Sequence, residues 1–374
     1  MGFAQVKEEP AQRAGDTEQN PLSPRPLPLT LPLTLPLTLP LTLPLTLPLT
    51  LALMLPLMLA GTLTMALHRP NPPPSRNGVS ASCVVLPAGP WPLVIDFLPQ
   101  RFPGVSTDTW LQRLHAGDVI DDQGRVLGPD APYCAGLRLY YFRTVEVEPP
   151  IPFEATVLWQ DDHLLVVDKP HFLPVMPSGK YLQETVLIRL KNALGLEALS
   201  PIHRIDRDTA GLVLFSKQVA SRGAYQELFR TRQVDKTYEC IAPWNPDLPW
   251  PLKRESRMAP SAHFMQQAEV DGAPNALTHI TPIEVLDALA RYALKPVTGQ
   301  RHQLRVHMAA LGLPIVDDGI YPVLTPEGIA DYDRPLQLLA KSIAFTDPLT
   351  GEARRFESHK KLRGLAEVQC KTTA

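Results

Sequence analysis

Two carboxylates and two guanidinium groups fall within five positions of the segment HRIDRDTAG, residues 203–211. The apolar run LVLFSK follows directly and predicts a buried strand. A carboxylate flanked by arginines has its charged form favoured, so we expect the pKa of Asp206 to lie below its ordinary value. A permanently ionised carboxylate suits a nucleophile better than a proton donor. Taken alone, however, a single RIDRD run is more often a surface loop of salt bridges.

A second candidate lies in the segment KTYECIA, where Lys236 and Tyr238 stand two positions apart. The alternation of a strand places Lys236, Tyr238 and Cys240 on one face. A tyrosine that faces a cleft can stack on a nucleic-acid base and offer its hydroxyl as a hydrogen-bonding group. An isolated tyrosine is more commonly a half-buried sheet residue, so this segment gains weight only together with the others.

Two arginines stand four positions apart in the segment PVTGQRHQLRVHMAALG, residues 296–312. The segment predicts a turn followed by a helix, with Arg301 and Arg305 on one face and Leu304 and Met308 on another. Arginine pairs carried by a helix recognise phosphate or hold a carboxylate in a bidentate grip. The pair is therefore a candidate for binding an anion or a catalytic carboxylate.

Metal and disulfide chemistry are not expected. His302 and His307 are five positions apart, which is poor spacing for two ligands on one helical face, so structural hydrogen bonds are predicted for both. The four cysteines are widely separated and form no Cys-x-x-Cys pair: Cys83, Cys134, Cys240 and Cys370. This pattern argues against a zinc module or a disulfide scaffold and predicts a reducing, cytoplasmic environment.

The charge balance excludes a strongly basic, histone-like nucleic-acid binder, because the formal net charge of the 374 residues is −2. An enzyme with a local basic groove is not excluded. Residues 80–154 carry five Lys or Arg against nine Asp or Glu, whereas residues 155–374 carry 26 against 25. The acidic balance of the first of these regions is unfavourable for strong phosphate binding.

The sequence LPLT repeats six times from Leu27 to Thr50 without a charged residue. Its length would permit a membrane span. Proline at every fourth position removes helical N–H groups, so the segment could not satisfy its backbone as a membrane helix. Residues 1–79 are therefore predicted to be a disordered or polyproline-like extension that does not enter a membrane. A translation start at Met1, at Met58 or at Met65 is left open.

Two proline-rich joints divide the rest of the chain, PNPPPSRNG before residue 80 and PPIPF near residue 150. Residues 80–150 are predicted to form a small α/β module in which two helices are followed by a hairpin. Residues 151–370 alternate strand and helix patterns, which predicts a mixed α+β domain with a mostly antiparallel sheet flanked by helices.

The three segments resemble the signature motifs of the RluA family of RNA pseudouridine synthases. Residues 203–211 match the family's H-R-L-D-x-x-T-S-G, with Ile for Leu and Ala for Ser as mild departures. Lys236 and Tyr238 match K-x-Y, and residues 298–307 match T-G-R-x-H-Q-[IL]-R-x-H. The three motifs follow one another in the family's order.

The resemblance spans roughly residues 155–357. The segment DDHLLVVDKPHFLPVMP resembles the family's D-x-x-[IL]-[IL]-V-[VL]-[DN]-K-P-x-G-x-x-V, with Phe172 where glycine is usual. Residues 338–356 resemble a further family segment that contains P-x-T-G-E. Gln300 stands where arginine is usual, and Asp317 stands where glycine is usual. These last two departures are expected to alter RNA contacts rather than the catalytic pair.

The resemblance implies an enzyme that isomerises uridine in RNA to pseudouridine, by detaching the uracil and rejoining it through carbon 5. Asp206 would be the essential aspartate, and Arg305 would hold it ionised. Tyr238 would stack on the flipped uracil, Leu304 would line the pocket, and Arg204 would enter the space that the base leaves. Attack on the uracil ring, attack on the anomeric carbon and proton abstraction stay open as the role of the aspartate.

The predicted partner of the chain is RNA. Arg301, His203 and Lys236 are predicted to bind the RNA substrate, which is ribosomal RNA, transfer RNA or both. No metal or cofactor is needed, because the leaving group is also the re-entering nucleophile. A monomer of the pseudouridine synthase fold, without a membrane partner, is expected. Residues 82–148 weakly resemble the RNA-binding module that many relatives carry, and both RNA binding and a packing role stay open for them.

The sequence disfavours two other classes of protein. An RNA-binding protein with an inactive catalytic fold is disfavoured, because Asp206, Tyr238 and Arg305 are all present. A hydrolase with Asp206 and Asp208 as a carboxylate pair is disfavoured, because side chains two positions apart leave little room for substrate and water. The arginines also fit a phosphate-rich RNA better than a neutral sugar.

Overall fold

The computed structural model describes residues 73–145, 147–325 and 331–373, all within one compact unit. The LPLT repeat and the predicted disorder of residues 1–72 lie outside the described residues. No helix in the described ranges is long and apolar enough to cross a membrane.

Residues 73–79, at the end of the extension predicted to be disordered, make contacts with residues far along the chain. Val79 is buried in the main hydrophobic core. Arg76 forms an ion pair with Asp118, and its guanidinium lies 3.8 Å from the centre of the Phe142 ring. The proline-rich composition of this segment did not predict these contacts, because only one valine and one arginine make them.

Fourteen strands form within the described ranges. In chain order they are β1 (Ser82–Val85), β2 (Val119–Asp121), β3 (Arg138–Tyr141), β4 (Thr156–Gln160), β5 (Leu164–Lys169), β6 (Ser200–Pro201), β7 (Ala210–Ser216), β8 (Asp235–Pro243), β9 (Leu252–Pro260), β10 (Gln267–Val270), β11 (Ala276–Leu286), β12 (Leu289–Pro296), β13 (Leu338–Thr346) and β14 (Ala353–Glu357).

Six helices accompany these strands in the described part of the chain. They are α1 (Val94–Arg101), α2 (Thr107–His115), α3 (Val186–Leu194), α4 (Val219–Arg230), α5 (Gln303–Ala310) and α6 (Leu365–Thr373). Local sequence accounts for several of their ends. The Ser106 hydroxyl accepts the N–H of Thr109 at the start of α2, and Thr185 caps α3 in the same way. Gly195 ends α3 in the left-handed conformation.

Eleven strands form the main sheet, in the order β10-β9-β11-β12-β8-β13-β7-β5-β4, with β14 paired to β13 and β6 paired to β7. Every pairing in this sheet is antiparallel except that between β13 and β7. The predicted mixed α+β fold with a mostly antiparallel sheet is confirmed. The strong apolar runs form its centre, since β5 and β7 are buried along their whole length.

The region predicted as a small module has its own sheet, in the order β1-β3-β2, and its own core. Its two predicted helices are α1 and α2. The hairpin expected after α2 forms one bridge, between Ile120 and Val126, and β2 also pairs with β3 along its other edge. Strand β1 was not predicted; it is only four residues long, and its side chains alternate between half-buried and exposed.

Strand β13 lies between β7 and β8 and so sets the spacing of the first two motifs. The segment with Asp206 leads into β7, and Tyr238 lies on β8 opposite Ala340 of β13. Gly211, at the end of the first motif, pairs with Ala340 at a φ of +108°. A Cβ added to Gly211 would lie 2.3 Å from the backbone oxygen of Ala340, so only glycine permits this close approach.

The helix that carries Arg305 begins later than predicted, so Arg301 and Arg305 do not share a helical face. The reason is His302, which takes a left-handed φ of 57° and breaks the helical path before Gln303. The side chain of Gln303 then closes the turn, since its Oε1 accepts the Thr298 hydroxyl at 2.7 Å and a backbone N–H at 3.0 Å.

Candidate active site

A pocket opens where the loop before β7, the strand β8 and the start of α5 meet. Six of the eight predicted site residues line it: Arg204, Asp206, Lys236, Tyr238, Leu304 and Arg305. Leu338 of β13 and residues 298–300, 302 and 303 of the turn into α5 also line it. The fold thus gathers residues from all three motifs around one cavity.

Asp206 faces this pocket with a side chain that is 27% exposed. Its Oδ2 accepts a hydrogen bond from Nη1 of Arg305 at 3.2 Å, and Nε2 of His302 lies 3.7 Å from its Oδ1. Burial alone would raise the pKa of Asp206, but the charges of Arg305, His302 and Lys169 outweigh burial and hold it below its ordinary value. The lowered pKa of Asp206 was expected. The positive charge that lowers it most is that of Arg305 on α5, rather than those of the arginines beside Asp206 in the motif.

Arg305 is held between two carboxylates and is only 1% exposed. Its Nε donates to Oδ2 of Asp318 at 2.8 Å, and its Nη2 donates to Oδ1 at 2.5 Å. Burial would lower the pKa of Arg305, yet the bonds and charge of Asp318 and the charge of Asp206 raise it above its ordinary value. Asp318 therefore fixes the guanidinium so that one remaining nitrogen points at Asp206.

Asp318 is itself anchored, because its Oδ1 also accepts the backbone N–H groups of Ile320 and Tyr321 at 2.8 and 3.0 Å. The guanidinium of Arg305 lies 5.4 Å from the centre of the Tyr321 ring. Sequence reasoning missed Asp318. Its only signal was its position directly after Asp317, the noted departure from the family's glycine.

Tyr238 projects from β8 into the pocket beside Asp206. Burial and the charge of Asp206 raise the pKa of its hydroxyl, which therefore stays protonated and can donate. Lys236 lies on the same strand, and its Nζ is 3.4 Å from the backbone oxygen of Thr298. Burial lowers the pKa of Lys236. The predicted common face of Lys236 and Tyr238 thus contributes one aromatic and one cationic group to the cavity.

Two side chains from the end of β5 hold the loop that carries Asp206. Nζ of Lys169 donates to the backbone oxygen of Arg207 at 2.9 Å, and Nδ1 of His171 lies 2.6 Å from the backbone oxygen of Asp208. A carbonyl only accepts, so His171 carries its proton on Nδ1. Burial lowers the pKa of Lys169 to about 7 and that of His171 to about 4. Sequence reasoning had given neither residue a place in the site.

His203 and Arg301 are the two predicted substrate-binding residues that do not line the pocket. Nε2 of His203 accepts the backbone N–H of Leu214 at 3.1 Å, and its ring stacks on Phe229 at 4.6 Å. Burial lowers the pKa of His203 to about 3, so it is neutral in this environment. The guanidinium of Arg301 reaches the other way, to backbone oxygens of the loop between β9 and β10.

Comparison with known proteins agrees with this geometry. Residues 163–310 match the family described as RNA pseudouridylate synthase. An uncharacterized RNA pseudouridine synthase of Synechocystis is 31% identical over 233 residues, which cover 61% of this chain and 79% of the relative. The dual-specificity RNA pseudouridine synthase RluA of Haemophilus influenzae is 31% identical over 232 residues, covering 57% of this chain and 97% of the relative.

The chain belongs to the RluA family of RNA pseudouridine synthases. It is therefore an isomerase that acts on RNA. A match over a shorter stretch is the mitochondrial tRNA pseudouridine(32) synthase of Saccharomyces cerevisiae, which is 34% identical over 183 residues, or 46% of this chain and 38% of the relative.

Two of this pseudouridine synthase's departures from the family pattern replace glycine at left-handed positions. Phe172 has a φ of 66°, and its ring packs edge-on against Tyr332 at 5.1 Å. Asp317 has a φ of 59°, and its carboxylate pairs with Arg334 and Arg363. In both cases the backbone conformation explains why glycine suits the position, and the new side chain gains contacts that offset its strain.

Replacing Asp318 with asparagine is expected to lower kcat about 10- to 100-fold, with little change in KM for RNA. Asparagine offers Arg305 one acceptor oxygen instead of two, so the guanidinium loses a charge-assisted bond worth about 1.5–3 kcal/mol. Steady-state kinetics on bulk RNA would measure kcat and KM separately.

The matched control for this prediction is Asp317→Asn. It removes the neighbouring carboxylate, which pairs with Arg334 and Arg363 instead of Arg305. We expect kcat within about threefold of the wild type, because the Asp317 carboxylate contacts neither Arg305 nor the pocket. Equal losses in the two variants would show that Asp318 has no special role.

Proposed function

We propose that this pseudouridine synthase converts specific uridines of ribosomal RNA, transfer RNA or both, with Asp206 as the catalytic aspartate. The observation that supports this most is the chain of contacts from Asp318 through Arg305 to Asp206 at the pocket wall. It keeps a partly exposed carboxylate ionised and fixed in direction beside an aromatic ring. An isolated salt bridge at the surface would not need a second carboxylate, here Asp318, to hold its arginine.

The reaction breaks the bond between N1 of uracil and C1′ of ribose and forms a bond between C5 and the same C1′. The proton on C5 is lost, and N1 takes up a proton, so the atoms balance without a co-reactant. An ionised Asp206 serves attack on the ring, attack on C1′ and abstraction of a ribose proton alike. The pocket therefore supports a catalytic role for Asp206 under each of these three routes.

The other pocket residues would bind the base and its surroundings. Tyr238 offers a ring on which an extruded uracil can stack and a protonated hydroxyl that can donate. Leu304, at 7% exposure, gives the cavity an apolar wall. Arg204 is exposed at the rim, where a guanidinium can occupy the gap in the RNA stack. Lys236 supplies a positive charge near the pocket.

We also propose the division into a small module of residues 80–150 and a catalytic domain of residues 151–370, with a packing role for the module. Glu148 is one link to the catalytic domain, since its carboxylate accepts three successive backbone N–H groups of residues 182–184 at 2.7–2.9 Å. Such a nest of N–H groups favours an anion. The acidic balance of the module fits this structural role better than phosphate binding.

The carboxylate-pair alternative gains no support from the loop geometry. The Asp208 carboxylate accepts Nε of Arg207 at 2.9 Å, and Asp208 is absent from the pocket lining. A hydrolase would need both carboxylates at the substrate.

Mapping of pseudouridine at single-nucleotide resolution, in cells with and without the gene, tests the proposed substrate class. We expect individual positions of ribosomal RNA, transfer RNA or both to lose pseudouridine, and to regain it with the wild type but not with Asp206→Asn. An unchanged pseudouridine map in both RNA classes would contradict the proposed substrates.

A further inference from the structure

An aromatic side chain stands out from the surface on the loop that joins β9 and β10. Phe264 is 76% exposed, although a phenylalanine normally buries most of its surface. The ring of His263 lies 5.0 Å from it, centre to centre, with the two ring planes tilted by 31°. An exposed aromatic ring offers a face on which a nucleic-acid base can stack.

The loop is fastened to the active site by Arg301. Nη1 of Arg301 donates to the backbone oxygen of Phe264 at 3.0 Å, and Nη2 donates to that of Met265 at 3.1 Å. Arg301 directly precedes His302, which lines the pocket. The position of Phe264 is therefore tied, through one side chain, to the turn that places the catalytic arginine.

A second set of bonds holds the other end of the loop. The Tyr321 hydroxyl accepts the backbone N–H of Gln267 at 2.7 Å and lies 2.9 Å from Nδ1 of His302. Nε2 of Gln266 donates to the backbone oxygen of Ile320 at 2.8 Å. Two independent connections thus fix the loop relative to Asp206, since Nε2 of His302 is 3.7 Å from that carboxylate.

We propose that Phe264 is a stacking platform for an unpaired base of the RNA substrate next to the modified uridine. The proposal rests on the proposed function, because it needs a uridine extruded at the Asp206 pocket. Extrusion unpairs the stack around the target, and every base has a face that can stack on an aromatic ring. Arg301 is exposed beside the ring and gives the loop a positive charge that favours RNA over an apolar protein surface.

Phe264→Ala is expected to raise both KM and Kd for bulk transfer and ribosomal RNA about tenfold, with kcat within about twofold of the wild type. The factor corresponds to the lower part of the range for loss of one base–aromatic contact. Phe264→Trp should bind as the wild type does. Val219→Ala, which trims another exposed apolar residue, on α4, should change nothing.

A double-mutant cycle locates the contact on the RNA. The probe is a synthetic RNA that carries a uridine found by the mapping above, with each flanking nucleotide replaced in turn by an abasic one. We expect one abasic position to weaken binding of the full-length wild type about tenfold and to have little further effect on Phe264→Ala. Equal losses in both proteins at every position would overturn the proposal.

Two further outcomes separate this proposal from others. If Phe264→Ala leaves RNA binding unchanged but shifts the protein's elution to a smaller size, the ring is a protein contact and the proposal fails. If the wild type makes no pseudouridine, the proposed function fails, while the Kd values of the wild type, Phe264→Ala and Phe264→Trp for bulk RNA still decide whether the Phe264 ring contacts RNA. The base-stacking claim and the catalytic claim can therefore fail separately.

Discussion

Asp206→Asn is expected to reduce pseudouridine formation by about a thousandfold or more, to the background of the assay. Asparagine keeps the volume of the side chain and can still accept the Arg305 N–H, but its amide is neither a nucleophile nor a base. Losses of this size are typical when a residue that acts on the reacting atoms is removed. Quantification of pseudouridine in digested RNA after timed incubation would measure the loss.

The matched control is Asp208→Asn, in the same loop. That carboxylate bonds to Arg207 and is outside the pocket lining, so we expect activity within about tenfold of the wild type. Both variants should keep the wild-type unfolding temperature and RNA affinity. Activity of Asp206→Asn within tenfold of the wild type would remove this residue from the mechanism.

Arg305→Ala is expected to be nearly as damaging, for a different reason. It leaves Asp206 and the 1%-exposed side chain of Asp318 without their shared counter-ion. Breaking a buried ion pair in this way costs about 3–5 kcal/mol. Because the charge that holds the Asp206 pKa below its ordinary value is lost, that pKa rises. Catalysis needs the ionised form, so the acid limb of the remaining activity should move to higher pH.

Two variants separate catalysis from folding and from RNA binding. Arg305→Lys keeps the positive charge but loses the planar guanidinium, which binds Asp206 and Asp318 at the same time. This variant should therefore be more stable than Arg305→Ala and still turn over slowly. Arg301→Ala should weaken RNA binding and leave kcat at saturating RNA close to the wild type. If Arg301→Ala abolished turnover while Arg305→Ala changed only affinity, the two arginines would have the opposite roles.

The pairing of Arg305 with Asp206 was implied by the resemblance of three segments to family motifs, and the catalytic roles of these residues stay predictions. The structure brings the three segments to one pocket, where Nη1 of Arg305 donates to Asp206 at 3.2 Å. The partner Asp318 could not be found in this way. Its contact depends on the path of the chain after α5, including a non-glycine residue at a left-handed φ at Asp317.

The hairpin of β9 and β10 was missed for a related reason. Residues of β9 alternate between half-buried and exposed positions in a largely polar sequence, LKRESRMAP, so the strand lacks an apolar signal. Its pairing with β11 is what makes it a strand. The position of Arg301 was also predicted wrongly, as part of the helix. His302 has a left-handed conformation that hydrophobic periodicity does not predict, so the helix begins after Arg301.

The most direct test of the account is nucleoside analysis of bulk RNA after incubation with the purified full-length protein. We predict that uridine is converted to pseudouridine with no free uracil, and that the Asp206→Asn protein produces neither. Release of free uracil by the wild type would contradict the isomerase and indicate a hydrolase. Absence of pseudouridine from both ribosomal and transfer RNA would contradict the proposed substrates and the catalytic role of Asp206.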